Sequence, residues 1–379
     1  MSNNWPIVQF GEFTELVKRP TEASGVVGSV GVKLYGEGVH VVEEKSIFEF
    51  RAARFDIRKD DLIYNDMWAR KGSVAIVPDK YDGYVASAHF PTWELDNTRV
   101  DPAFLGWYFR TPEFWNMCEN SSQGTTGRNA ISKRGFRKLE IPLPPPDEQR
   151  RVVARIEELA AKVERAQILR GQAVGAVDSL VTSLHFKLAG EKAFTVDKFL
   201  ALDEQREKIE VGKEYPQIGI KGFGQGLFPK EAVNATQTTY KWFNRLYEGA
   251  IVLSQPKGWE GAIAVCPQSL AGYYASPEYR TFRCVEGQAI PEYLAEILAT
   301  PWFWKQLKDV QRGLGGRRQR TRPEQFLSME IPMPTVEQQR QAVQIFRKLC
   351  PIKRHQAATA AKLDALLPSI LDKAFKGEL

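Results

Sequence analysis

Ile141–Arg151 reads IPLPPPDEQRR, and Ile331–Gln341 reads IPMPTVEQQRQ. Each is an apolar residue and a proline run that opens into a charged, glutamine-bearing segment. Prolines at a first helical turn followed by acidic residues mark a helix start, so each stretch joins a globular part to a helix. The same pair recurs outward. Gly31 begins GVKLYGEG and Gly219 begins GIKGFGQG. At an offset of 189 residues, Gly72-Ser73-Val74-Ala75-Ile76 meets Gly261-Ala262-Ile263-Ala264-Val265, and Thr111-Pro112 with Phe114-Trp115 meets Thr300-Pro301 with Phe303-Trp304. A repeat this long exceeds any solenoid unit and has the size of a domain with its connector. The chain is a duplication, which implies a pseudo-two-fold molecule suited to a partner with two halves.

Each globular half reads as mixed α and β. Short β-rich runs, Ser73–Val77 and Ala262–Cys266, sit between glycines and prolines as strands do. Pro102–Tyr108 and Pro291–Leu298 read as helices opened by proline, and Thr-Pro starts the aromatic segment after each. Beyond each proline run lies a helix signal of about 40 residues, roughly 60 Å long. In the first, Val152, Ile156, Leu159, Val163, Ala166, Arg170, Ala173, Val177, Leu180 and Leu184 alternate steps of four and three. In the second, Ile345, Leu349, Ile352, Gln356, Thr359, Leu363, Leu366 and Ile370 do the same. This is a coiled-coil seam. The two seams superpose at an offset of 186, which implies a one-turn deletion in the second. Connectivity in a pseudo-two-fold molecule makes the pair antiparallel, and Pro351 and Pro368 argue against perfect regularity. The resulting division is 1–146, a first α/β domain; 147–190, a central helix; 191–336, a second α/β domain; and 337–379, a C-terminal helix. The fold class is α+β.

The 379 residues carry a formal net charge of +6 with 43% hydrophobic and 26% charged residues. That is ample for two soluble cores, and the mildly basic balance is compatible with nucleic acid. Cys118, Cys266, Cys284 and Cys350 form no Cys-x-x-Cys pair, so they read as reduced thiols, with no zinc site. No apolar run is long enough to span a membrane, and MSNNWPIVQF lacks a secretory pattern. The expected compartment is the cytoplasm.

The pattern resembles the specificity subunit of Type I restriction–modification enzymes. The resemblance covers the whole chain. Its most specific marks are EIPLPPPDEQRRVVARI from Glu140 and EIPMPTVEQQRQAVQIF from Glu330. The ending LLPSILDKAFKGEL from Leu366 is equally typical, with a degraded copy, SLVTSLHFKLAGE, from Ser179; YPQIGIKGFGQGLF from Tyr215 resembles the opening of a target recognition domain. His185 and Phe186 stand in the first closing motif where Leu371 and Asp372 stand in the second. The resemblance implies that two recognition domains each read half of a split, asymmetric site in double-stranded DNA. It implies that the paired helices space them and dock two methyltransferase subunits, and through those the restriction subunits. It implies a chain that holds no cofactor and no activity alone, with S-adenosylmethionine, ATP and magnesium on the partners, in a complex that methylates adenine and defends against phage. Alternatives are a DNA-recognition subunit of another phage-defence system, a polypeptide that itself restricts or modifies, or a scaffold that binds protein.

Catalytic motifs are missing from the sequence. Gly222, Gly224 and Gly226 imitate a nucleotide loop, but Leu227 stands where G-x-G-x-x-G needs glycine; turns and close backbone approach explain them better. No G-x-x-x-x-G-K-[ST] loop is present, and His40, His89, His185 and His355 lack metal-ligand spacing. Base reading needs donors and acceptors among phosphate-neutralising cations. Two matched regions supply both. One is Asn65, Asp66, Trp68, Arg70 and Lys71, against Ser254, Gln255, Lys257 and Trp259. The other is Arg128, Asn129, Ser132, Lys133 and Arg134, against Arg317, Arg318, Gln319, Arg320 and Arg322. The strict match of Trp115 with Trp304 points to core packing rather than base stacking.

Overall fold

A computed structural model describes residues 5–121, 130–309 and 320–379. The chain divides into two compact units: Met1–Ile168 with Ala360–Leu379, and Leu169–Thr359. Each is mixed α and β.

In the first unit, Ile7–Gln9 pairs antiparallel with Glu140–Pro142. A four-stranded antiparallel sheet follows the order Thr14–Val17, Thr92–Leu95, Leu62–Tyr64, Val74–Ile76. A second sheet has the order Val39–Ser46, Val26–Val32, Val85–Ser87, Arg54–Asp56. Three short helices follow: α1 (Pro102–Tyr108), α2 (Pro112–Asn120) and α3 (Lys133–Arg137). Asp101 caps α1 through the N–H of Ala103, and Thr111 caps α2 through that of Phe114, each just before a proline. Then α4 (Pro146–Ala189) runs unbroken.

The second unit repeats this order. Ala193–Thr195 pairs with Glu330–Pro332. Leu200–Leu202, Tyr279–Cys284, Ile251–Ser254 and Ile263–Val265 form the four-stranded sheet. Leu227–Asn234, Glu214–Ile220, Tyr274–Ala275 and Trp242–Arg245 form the other, with Arg206–Lys208 added at its edge. Helices α5 (Pro291–Ile297), α6 (Pro301–Asp309) and α7 (Pro323–Leu327) precede α8 (Val336–Asp364) and α9 (Leu366–Phe375). The two expected strands and both pairs of proline-opened helices are therefore present within a residue or two. The second long helical segment is divided: α8 passes through Pro351, and the break falls at Ala365, which places Pro368 in the first turn of α9, where its missing N–H costs nothing.

The cores explain the shared motifs. In the first unit Tyr64 stacks on Phe136 at 4.4 Å, and Phe104 and Tyr108 each meet Phe375 of α9 edge-on. Val152, Val153 and Ile156 of α4 join the same core. In the second unit Ala342, Val343 and Phe346 of α8 do so, as do Val177 and Val181 of α4. His185 packs there on Tyr293 and Trp302. These pairings correct the 186-residue superposition. Val152 with Ala342, Ile156 with Phe346, Val181 with Leu371 and His185 with Phe375 all keep a spacing of 190. His185 takes the place of Phe375, not of Leu371, and no deletion is needed. A four-three seam repeats along its own helix, so it superposes on its copy in more than one register; contacts with α1 and α5 select one.

Candidate nucleic-acid interface

Three segments meet in each unit through equivalent backbone bonds. In the first unit, the chain leaves strand Leu62–Tyr64 at Asn65. The N–H of Asp66 donates to the His89 carbonyl at 3.0 Å, and the Asp66 carbonyl accepts from Ile131 at 3.2 Å. In the second, the N–H of Gln255 donates to the Glu278 carbonyl at 3.0 Å, and the Gln255 carbonyl accepts from Thr321 at 2.9 Å. This clasp brings together the two candidate regions of each half, which lie some sixty residues apart in sequence. Between them in the first unit is a cleft of about 760 Å³, lined by Tyr64, Asp66, Asn120, Lys133, Arg134 and Lys138 among others.

The turn after the clasp is held from behind. A single 3₁₀ turn, Ala69–Lys71 or Gly258–Glu260, ends at a left-handed glycine, Gly72 (φ 64°) or Gly261 (φ 69°). A Cβ on either glycine would lie 2.5 Å from the indole of Trp115 or Trp304. Those indoles donate to the carbonyls of Phe109 and Leu298 at 2.7 and 2.9 Å. The tryptophans are packing groups, as their match indicated. The glycine-rich turns dock on the same feature. The N–H of Tyr35 donates to the Lys71 carbonyl at 2.9 Å and that of Phe223 to the Glu260 carbonyl at 2.7 Å. A Cβ on Gly36 or Gly224 would strike the backbone of Phe109 or Ala299. These glycines allow two backbones to approach; they brace the turn.

The candidate side chains then separate into groups. Trp68 is exposed with the Lys71 ammonium 5.6 Å over its ring. Lys133 and Arg134 are exposed in the first turn of α3, which Ser132 caps through the N–H of Gly135 at 3.0 Å. Lys257, Trp259 and Arg322 are exposed, and Gln255 is half-buried. Asn65 uses its carbonyl oxygen to accept from the N–H of Met67 at 3.1 Å, which shapes the turn. Two cations have acidic partners: Arg70 with Glu119 at 2.9 Å, and Arg320 with Glu278. Ser254 is a correction. It is 2% exposed and paired with Tyr279 inside the sheet. Arg128, Asn129, Arg317, Arg318 and Gln319 lie outside the described residues.

Sequence reading missed the acids. Glu278 and His89 occupy equivalent positions, but without matching side chains they leave no repeat signal; His89 lies 3.4 Å from Asp66. Burial, aided by the charge of Asp66, pushes the Tyr64 phenol well above its ordinary range, so its hydroxyl stays protonated against the Ile131 carbonyl. Burial likewise holds the thiols of Cys118 and Cys284 at about 12 and that of Cys266 at about 11, so they are inert at neutral pH. His185 is buried, with Nδ1 2.6 Å from the Tyr293 hydroxyl, and desolvation lowers it to about 4. Among the described residues, no three His, Cys, Asp or Glu side chains form a metal cluster, and no helix is long and apolar enough to cross a membrane.

Residues 8–170 match the model of the Type I restriction modification DNA specificity domain. This match spans less than half of the chain, and it shows that this stretch is similar to the specificity domain of Type I restriction modification. The whole chain shares its fold with two solved structures. One structure, described as the structural basis underlying complex assembly and conformational transition of the type I R-M system, aligns over 100% of this chain and 99% of its own, with TM-score 0.65 and 22% identity. The HsdS subunit of Thermoanaerobacter tengcongensis aligns over 100% and 98%, with TM-score 0.50 and 21% identity. The comparison with curated proteins finds no match.

Proposed function

We propose that the chain is a Type I restriction–modification specificity subunit that reads a split, asymmetric site in double-stranded DNA, one half-site with each compact unit. The observation that carries this is the clasp. Its backbone bonds recur in both units, while Trp68, Arg70 and Lys71 give way to Lys257, Trp259 and Glu260, and Ser132, Lys133 and Arg134 to Arg322, Pro323 and Glu324. A constant frame with changed donors, acceptors and cations is what two different base sequences require.

In this reading α4 and the α8–α9 segment are an antiparallel spacer. Within the first unit Arg151 of α4 donates to the Leu379 carbonyl and Gln167 to Asp364, so the two segments run in opposite directions there. Within the second, Asp178 of α4 pairs with Lys353 of α8 at 2.6 Å. The same helices dock two methyltransferase subunits, and restriction subunits join through them. S-adenosylmethionine, ATP and magnesium act on those partners, and the chain alone neither methylates nor cuts.

Methylome sequencing of cells with and without this chain, in the presence of its methyltransferase partner, tests the reading. A split adenine-methylated motif that depends on the chain supports it. A continuous motif, or turnover by the chain freed of partners, contradicts it.

A further inference from the structure

Between its two long strands and the next strand of the same sheet, each unit has a strap: residues 47–53 in the first, 235–241 in the second. We propose that the second strap is a specificity segment, and that Gln237 and Thr238 read base edges in the half-site of the second unit. This rests on the proposed DNA-recognition function and names the residues that would set its sequence.

Under the strap lies a cleft of about 940 Å³, lined by Gln217, Lys230, Gln237, Thr238, Tyr240 and Ser276 among others. It shares a chain segment with the clasp. Ser276 and Tyr279 line the cleft, and Glu278 between them accepts the N–H of Gln255 and pairs with Arg320. Asn244, next in the strand after the strap, donates to the Tyr279 carbonyl at 3.0 Å. The cleft wall and the clasp therefore share the segment 276–279.

The strap is braced by its own bonds. The Asn234 carboxamide oxygen accepts from the N–H and hydroxyl of Thr236 at 3.1 and 2.7 Å. Gln237 Oε1 accepts from the N–H of Asn234 at 3.0 Å, and the Thr238 hydroxyl from that of Tyr240 at 3.2 Å. Gln237 and Thr238 thus each have their acceptor oxygen held by a backbone N–H, and among the described residues neither the Gln237 side-chain amide N–H nor the Thr238 O–H donates elsewhere. Amide and hydroxyl donors suit the acceptor-rich groove edges of purines and of thymine. Lys230, exposed on the cleft wall, supplies a cation for the adjoining phosphate.

The first strap has a different chemistry in the same place. It reads IFEFRAA, with Phe48 83% exposed and Phe50 beneath the cations of Lys45 and Arg54. The strands on either side keep their order and pairing in both units. The strap changes in character while the strand order beside it is retained, which suits a variable reading element.

The test uses the assembled complex of this chain with its methyltransferase partner. The Gln237→Ala and Thr238→Val variants are compared with the parent by methylome sequencing, with thermal unfolding as the check on folding. The expected result is relaxed preference, roughly tenfold, at one base pair of one half-site, with the other half-site and the gap unchanged. Where a variant methylates too weakly to read, competition binding by the same complex with duplexes substituted one base at a time gives the answer. Flattened discrimination at one pair supports the proposal; undiminished discrimination at every pair overturns it. A parent complex that methylates no split site would instead overturn the DNA-recognition reading itself.

Discussion

Gln149 and Gln339 make the same three hydrogen bonds in the two units. Each is fully buried in the first turn of its long helix. Gln149 accepts from the N–H of Asp101 at 2.7 Å and donates to the carbonyls of Arg99 and Pro144 at 2.9 and 2.7 Å. Gln339 accepts from Ile290 at 3.0 Å and donates to Gln288 and Pro334, both at 2.8 Å. One side chain thus ties the proline run, the helix start and the entry to α1 or α5. Replacement of either glutamine by leucine leaves buried backbone groups unpaired. The expected loss is about 1–3 kcal/mol, read as a lower unfolding midpoint in urea with DNA specificity intact in whatever complex still assembles.

Gly72→Ala and Gly261→Ala test the brace behind the clasp. Each places a side chain at positive φ, a cost of about 1–3 kcal/mol, and drives a Cβ against Trp115 or Trp304. Both stability and DNA affinity of the complex should fall. An alanine variant with parental affinity would detach this turn from the interface.

His185 should make the second unit sensitive to acid. Its folded value of about 4 lies below the ordinary 6.5, so the unfolded chain takes up the proton first as pH falls. The contribution is full above about pH 6.5 and is lost as pH drops toward 4, by roughly 3 kcal/mol in total. His185→Leu should flatten the fall in thermal midpoint between pH 7 and pH 5. An unchanged slope would assign the acid sensitivity elsewhere.

Lys257→Ala and Arg322→Ala address the phosphate contacts. Both side chains are exposed beside the clasp. Each lost phosphate contact should lower the logarithmic salt slope of DNA binding by about 0.9. The sequence places Arg317 and Arg318 in the same cluster, and their alanine variants should act alike. Slopes equal to the parent's would return these residues to the solvated surface.

The frame was legible in the sequence because duplication printed it twice. Gly72 with Gly261 and Trp115 with Trp304 were matched because one contact needs both partners in each unit. The proline-led helices were legible because Pro102 and Pro291 suit only a first turn. What failed to show was whatever the two units do differently, or do by tertiary contact alone. Ser254 is polar and sits among reading residues, yet its place at the end of a buried strand hides it. Glu278 and Glu119 gave no signal, because a counter-ion is set by proximity in space. The pairing of Ile7–Gln9 with Glu140–Pro142 joins segments over 130 residues apart, so neither run announces the other. The register of the long helices was misread because its seam is periodic.

A four-residue insertion near Gly171 examines the spacer. It adds about one turn, or roughly 6 Å of rise, against about 3.4 Å per base pair. The gap between half-sites should lengthen by one or two base pairs with both half-sites kept. An insertion variant that methylates with the original gap would remove the spacer role.

The most direct measurement of the central claim is the methylome after residues 1–146 are exchanged for those of a homologue. Two units that each read their own half of the site require one half-site to change while the other half-site and the gap stay as they were. A change in both halves, or in neither while methylation continues, would contradict the account.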